Sequence, residues 1–453
     1  MPIGRRRVVW FCGFADPVVE YAKKTTGSWR AKKVDMELTN NEHQTRIALA
    51  FVGIVVPDEP KYHSVAFSRA GNMFQTNLLS SIASAGITAS TIISPIPVQS
   101  WPSGNRLLVR GSKYRLKDGT EISSLPFVNV PLLKQLTIGV AAMQRLLVWG
   151  WRNRKSEFRV VCTFNLTVPP AVFTLMAARL IGAKTIAHLN DINIPGETVP
   201  NSLFFRMDYA LHRWLMPRFD GLVVVSKAIV REFGLSAPHI LIEGGVDECA
   251  FHEVSQPTNS SSFVIVSAGS LDEANGVKIL LEGFSKLRGE HYRLRIAGAG
   301  PLDAEVRRAA EGDPRIEYCG YLKFTEVLRL FESADLLVNL RLTKNINTKY
   351  FFPSKLIEYM ASGRPVISTC TGHVEEEFGE FLFLLRQETP DGFAEAVKNI
   401  SRIEKDTREL LGAKARAYTM TNRTWSAQGR RMVRFIESLV APNPVSDDVK
   451  MKG

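Results

Sequence analysis

Phe352-Pro-Ser-Lys-Leu-Ile-Glu-Tyr-Met-Ala-Ser-Gly-Arg-Pro-Val-Ile-Ser368 reads as a loop, a helix and then a strand. Pro353 suits the first turn of a helix, where a missing N–H costs nothing. Leu356, Ile357, Met360 and Ala361 recur at three- and four-residue spacing and give one apolar face. Gly363 and Pro365 stop the helix, and Val366-Ile367-Ser368 begins a short buried strand. Ser354 and Lys355 therefore stand at a helix N-terminus, where free N–H groups and the helix dipole favour an anion. Glu358 lies one turn further along at nearly the same azimuth. This suits a nucleotide, with phosphate at the tip and ribose hydroxyls at the carboxylate. The same spacing is also that of an ordinary capped helix whose Lys and Glu are solvated.

Working outward, 453 residues allow two or three domains, each with its own core. At 45% hydrophobic and 23% charged, the composition is that of a globular protein. The longest apolar runs, Ile47–Pro57 and Val140–Trp151, are too short or too interrupted to span a bilayer. Arg5-Arg6-Arg7 before Val8–Ala15 imitates a signal peptide without a small-residue cleavage site, and we read it as a first β-strand. The five cysteines are scattered at 12, 162, 249, 319 and 370 with no Cys-x-x-Cys pair. They read as reduced core residues of a cytosolic chain. The net charge of +12 is uneven: residues 1–247 hold 29 Lys and Arg against 17 Asp and Glu, and residues 248–453 hold 28 of each. A basic first half suits an anionic membrane surface or a lipid pyrophosphate, and equally a generic solubility charge. Nothing resembles a nucleic-acid module.

In chain order, Arg7–Phe14 is the expected first strand and residues 16–62 an extended excursion. Gly71 and Asn72 mark a turn before a helix from Met73 to Ala85, with Gly86 as its C′ residue and Ile87–Ser94 as the next strand. Leu107–Arg110 and Lys113–Leu116 look like a hairpin, with a turn at Lys117-Asp-Gly-Thr120. A largely apolar helix from Leu132 to Trp151 ends in Trp149-Gly-Trp-Arg-Asn-Arg-Lys155, and Leu203–Phe219 carries a similar mix of aromatic and basic residues. Both suit docking at an anionic membrane interface, and both suit burial against a sheet. Phe158–Phe164, Lys184–His188, Asp220–Ser226 and His239–Glu243 read as further strands. His188 would lie at the C-terminal edge of its strand, where α/β sheets place ligands. A structural histidine reads the same way. Asp191 is the nearest carboxylate to orient it or accept a proton. Five or so β-α units in sequence indicate a parallel, doubly wound sheet.

After a linker at 251–262 the pattern restarts. Phe263–Ala268 is a strand entering Gly269-Ser270, and Arg293–Ala297 one entering Gly298-Ala-Gly-Pro301. Glycines at strand ends let a nucleotide approach the backbone closely. Strands at Arg315–Cys319 and Asp335–Asn339 and a polar loop Thr343–Lys349 lead to the opening stretch. Helices follow at Asp391–Lys405, Arg408–Thr419 and Trp425–Leu439, and residues 442–453 look disordered.

Pro353-Ser354-Lys355 before Glu358, together with Gly298-Ala-Gly-Pro301, resembles the donor site of retaining GT-B glycosyltransferases of the GT4-like group. The Pro-Ser-Lys version is similar to that of bacterial polysaccharide-assembly transferases. The resemblance implies a GT-B fold, with two Rossmann-like doubly wound parallel-sheet domains facing a cleft: an acceptor-binding domain at 1–250, a nucleotide-sugar domain at 263–420, and a helix at 421–441 crossing back. It implies transfer of a sugar from a nucleotide diphosphate sugar to a lipid-linked or saccharide acceptor, with retention and without a metal. The Gly269–Ser270 loop, Gly298, Gly300, Pro301, Ser354, Lys355, Leu356 and Glu358 would bind the donor. Gly71 and Asn72 would approach the acceptor, and His188, Asp191 and Lys355 would serve catalysis. It implies a cytoplasmic protein, peripheral at the inner face of the cell membrane. Three positions depart from the family's pattern. Ser270 and Asn275 stand where many relatives carry Arg and Lys, and Tyr350 where a Glu-x₇-Glu pair would have its first member. Lys278, Lys344 or Lys349 could compensate. Two other readings stay open: a catalytically silent GT-B partner of another transferase, and a nucleotide-sugar 2-epimerase.

Overall fold

The computed structural model describes residues 47–57, 59, 62, 67–116, 120–190, 192–251, 262–344 and 348–441. The expected strand Arg7–Phe14, the turn at 117–119, most of the 251–262 linker and the tail 442–453 lie outside the described residues.

The first half contributes β1 (Ile47–Val52), β2 (Ala89–Ser94), β3 (Leu108–Val109), β4 (Lys113–Arg115), β5 (Glu121–Ser124), β6 (Phe127–Val128), β7 (Phe158–Phe164), β8 (Lys184–Leu189), β9 (Gly221–Val224) and β10 (His239–Leu241). Eight of these form one sheet in the order β10-β9-β8-β7-β1-β2-β5-β4, parallel except for the β4–β5 pair. β3 and β6 form a separate antiparallel ribbon. The hairpin partner of Lys113–Arg115 is thus β5 and not Leu107–Arg110. Ile47–Val52, expected inside an excursion, is instead the strand from which the sheet winds both ways. Its side chains are buried on both faces, so it shows no alternation to distinguish it from a piece of buried helix.

The second half contributes β11 (Phe263–Ser270), β12 (Tyr292–Ala299), β13 (Ile316–Gly320), β14 (Leu336–Asn339), β15 (Val366–Thr369) and β16 (Phe383–Leu385). They form an all-parallel sheet in the order β13-β12-β11-β14-β15-β16. Each sheet reverses direction once, between β1 and β7 and between β11 and β14. In open α/β sheets ligands sit at such switch points, outside the carboxyl ends of the strands.

Helices cover both faces of each sheet. Leu133–Arg152 and Pro170–Leu180 lie against Ala48, Ala50 and Val161 on one side of the first sheet. On the other, Met432, Phe435 and Ile436 of the last helix, Trp425–Val440, share a cluster with Leu49, Phe51 and Leu78. The chain therefore returns from the second sheet to the core of the first. Its return segment bonds to the outgoing one: Val246 N donates to Arg423 O at 3.0 Å and Trp425 N to Val246 O at 3.0 Å. Beside these crossings a group of charges is buried. Glu243 meets His373 at 3.3 Å and Arg423 at 3.4 Å, and Arg423 meets Glu377 at 2.9 Å. Burial opposes ionisation of Glu243, but the His373 hydrogen bond and the Arg423 charge outweigh it and hold its carboxyl below the usual range. A carboxyl held low contributes stability above its unfolded value and loses it as pH falls.

Arg423→Met leaves that carboxylate buried without its cation and is expected to cost about 3–5 kcal/mol in chemical unfolding. Adding Glu243→Gln should recover part of the loss. Strictly additive losses would show that the two side chains do not act as a pair.

Candidate functional site

At the switch point of the second sheet, three residues are forced together. β11 and β12 pair in register, so Gly269 faces Gly298. A Cβ on Gly298 would lie 1.7 Å from Gly269 O, and one on Gly269 would lie 1.4 Å from Lys355 Nζ. Both glycines have positive φ, 145° and 142°, a region that side chains other than hydrogen disfavour. The Lys355 ammonium thus lies directly over the backbone at the end of β11. Tyr359 fixes this arrangement from below. Its fully buried hydroxyl accepts from Ala268 N at 2.8 Å and donates to Ala268 O at 2.9 Å, tying the helix Lys355–Ala361 to the strand residue before Gly269.

Charge in this site is poorly solvated. Burial lowers the pKa of Lys355, with Arg341 adding to the effect against Glu358 and Asp272. Burial raises Glu358 from its ordinary 4.5 to about 7, with Lys355 opposing. Among the described residues no side-chain hydrogen bond or ion pair within 4.0 Å engages either one. Arg341, two residues past β14, is the partner that sequence reasoning missed. Its Nε is buried without a hydrogen-bond partner and its guanidinium lies 4.7 Å from the Phe351 ring centroid. A basic residue just beyond the switch-point strand was the signal. A cation pair and a raised carboxyl on a strand-end backbone stripped of side chains can hold a phosphorylated ligand that also offers hydroxyls. Among the described residues no three His, Cys, Asp or Glu side chains converge as a metal site.

Residues 262–402 match the family described as glycosyl transferases group 1. WcaL of Salmonella typhimurium, named as a colanic acid biosynthesis glycosyltransferase, is 26% identical over 202 residues, 43% of this chain and 50% of that protein. The chain spans about half the length of the curated relatives it matches. Sucrose-phosphate synthase from Thermosynechococcus elongatus superposes with a TM-score of 0.58 at 15% identity, over 87% of this chain and 99% of that one. HepE of Anabaena, in complex with UDP, gives 0.59 at 14% identity over 86% and 100%. The chain has the GT-B fold of these structures, and its second half is similar to glycosyl transferases group 1.

Other expected site residues of this GT-B chain are placed differently from one another. Gly300 lies in the same loop, where a Cβ would meet Leu271 O at 2.4 Å, and its N–H is taken by Asp303 at 2.9 Å. Pro301 and Ser354 are exposed beside it. Leu356 is core, and its N–H already donates to Pro353 O at 2.8 Å. The helix has only seven residues, so the Lys355 charge dominates over any dipole. Ser270, Asn275 and the loop between them are organised by Asp272, which accepts from Ser270 Oγ, Asn275 N and Asn275 Nδ2, each at 2.8 Å. Tyr350 donates to Glu232 at 2.5 Å, and Lys349 pairs with the same carboxylate at 3.1 Å. Lys278 pairs with Glu273, and Lys344 is exposed.

In the first half the corrections are larger. Ser68 caps a helix at Arg69–Ser84, one turn earlier than expected, so Gly71 and Asn72 are helical and not a turn. Asn72 is buried and bonded through its side chain to Val56 N and O at 2.9 and 3.0 Å. His188 is the last residue but one of β8, and it is 0% exposed, with ring centroids 5.0 Å from Phe74 and 5.1 Å from Phe164. Burial drives its pKa down to about 3, and neither ring nitrogen has a hydrogen-bond partner. It is a neutral core imidazole in this conformation and lines no open surface. Asp191 lies outside the described residues. Of the described cysteines only Cys162 is buried.

Because folding raises the Glu358 pKa, its ionised form costs stability at high pH, and that cost fades as pH falls from about 7 towards 4.5. Glu358→Gln is therefore expected to melt higher than the wild type at pH 8 and to converge with it near pH 4.5. A pH-independent difference in thermal unfolding would contradict this.

Proposed function

We propose that this chain transfers a sugar from a UDP- or GDP-sugar to a lipid-linked or saccharide acceptor, with retention and without a resident metal, in assembly of a cell-surface polysaccharide. The observation that carries the reading is the buried Lys355 held over Gly269, with Glu358 one turn deeper on the same short helix. In the reaction the bond from the anomeric carbon to the diphosphate breaks and a bond from the acceptor oxygen forms on the same face. The departing phosphate oxygen takes the acceptor's proton. Negative charge grows on that oxygen, so Lys355 and Arg341 are placed to stabilise it. Glu358, as carboxylate, would accept from ribose hydroxyls.

The membrane part of the proposal rests on the helix Leu203–Leu215. It leaves Leu203, Phe204, Met207, Leu211 and Trp214 exposed along one side, with Arg206, Arg213 and Arg218 nearby. Such a surface suits an anionic bilayer, to which the chain would attach from the cytoplasm as a peripheral protein. Among the described residues no helix is long and apolar enough to cross a membrane. A silent partner of another transferase is favoured by a different observation. Ser270 and Asn275 spend their side chains on Asp272 and Tyr350 on Glu232, leaving those positions without free groups for a donor.

Calorimetry with a panel of UDP- and GDP-sugars separates the two. Lys355→Ala, Glu358→Ala and Arg341→Gln should each weaken binding of one nucleotide sugar by about 1–3 kcal/mol, with turnover lost in the Lys355 variant. Binding that ignores all three substitutions would sink the donor-site assignment, and wild-type binding without turnover on any acceptor would favour the silent partner.

A further inference from the structure

The first sheet has its own cavity at its own switch point. Gly53 and Ile54 leave the end of β1, Pro95–Val98 the end of β2, and Phe164 and Asn165 the end of β7, and together they border a space of about 220 Å³. Its far wall is the start of the helix Leu133–Arg152 and of the helix Pro170–Leu180. Most of the lining is apolar, with Ile96, Val98, Leu125, Ile138 and Ala142. Walls of that kind offer little to a bare saccharide, whose many hydroxyls would lose their water partners there.

Among the described residues that line it, Lys134 is the one charged side chain, and no carboxylate accompanies it. Its ammonium donates to Val98 O at 2.5 Å, which leaves two of its three donors. Burial alone lowers its pKa, because no anion is near enough to oppose the loss of water. A second polar group also waits there. Thr174, 1% exposed, lines the cavity with a hydroxyl that has no hydrogen-bond partner. A lysine with two donors to spare and a hydroxyl without a partner, in an apolar pocket, match a ligand that is anionic at one end and hydrocarbon elsewhere. The volume lies below the roughly 300–1,000 Å³ of most small-molecule sites, so the cavity takes one end of such a ligand. The helix that supplies Lys134 also exposes Leu133, Leu136 and Val140, along which a chain could leave.

We infer that this cavity seats the anionic end of a single-chain amphiphile, a phosphate or carboxylate on a hydrocarbon chain, as the anchoring part of the acceptor. Its role as acceptor rests on the transferase reading; the binding itself does not. The test is binding of farnesyl phosphate, laurate, farnesol and inorganic phosphate to the full chain by calorimetry, with the melting temperature of each variant alongside. Farnesyl phosphate, laurate or both should bind, the preference naming the anion, while farnesol and inorganic phosphate bind at least tenfold more weakly. Lys134→Gln should cost at least tenfold and the near-isosteric Thr174→Val about threefold, with UDP- and GDP-sugar affinity unchanged. Equal affinity for farnesol, or unchanged affinity in whichever variant melts with the wild type, overturns the assignment. Nucleotide-sugar binding with no amphiphile binding removes this inference alone. Amphiphile binding with no nucleotide-sugar binding removes the transferase reading alone.

Discussion

Everything at the second switch point follows from how closely β11 and β12 run at their carboxyl ends. With Gly269 facing Gly298 there is no room for a Cβ on either strand, and the space above Gly269 is filled by the end of Lys355. Two strands without side chains make a bare backbone floor, and one lysine supplies its charge. The Tyr359 hydroxyl, bonded to both polar groups of Ala268, sets the height of that lysine above the floor. The short helix therefore acts less through its dipole than as a bracket for two ionisable side chains.

Those side chains are kept in an environment that suits neither of them alone. Lys355 and Glu358 are both pushed toward neutrality by burial, and Arg341 adds a second positive charge without a carboxylate of its own. A fold selected only for stability would not leave three such groups unsatisfied in one place. The same economy appears in the first sheet, where Lys134 faces no carboxylate and the Thr174 hydroxyl has no partner among the described residues at the corresponding switch point. Each half thus keeps its unmatched polar groups where parallel sheets place ligands, and spends its matched ones on the core and the junction.

Much of this was legible in the residues. The sequence Leu356 to Ser368 shows its helix, its stop and its strand because Gly363 and Pro365 punctuate a clear apolar period. The glycine-ended strands β11 and β12 were equally readable. What escaped were facts that only the third dimension creates. Arg341 stands at the start of the loop between β14 and the helix of Lys355, and no spacing rule says that the fold of that loop brings the two charges together. Asp272 looked like a loop residue and turned out to be the acceptor that ties Ser270 to Asn275. Ser68 could cap a helix or sit in a turn, and local chemistry did not say which, so Gly71 and Asn72 were misplaced by one turn. His188 was correctly set at a strand end, but burial by Phe74 and Phe164 comes from two other elements.

The paired crossings near Val246 and Thr424 have a mechanical meaning. Two chain segments bonded side by side behave as a strap, which bends across its width far more readily than it twists. The buried Glu243, His373 and Arg423, with the partly exposed Glu377, lie at this strap and cannot be drawn apart without exposing or stranding charge. Turning one sheet against the other would therefore disturb this cluster together with the strap's hydrogen bonds.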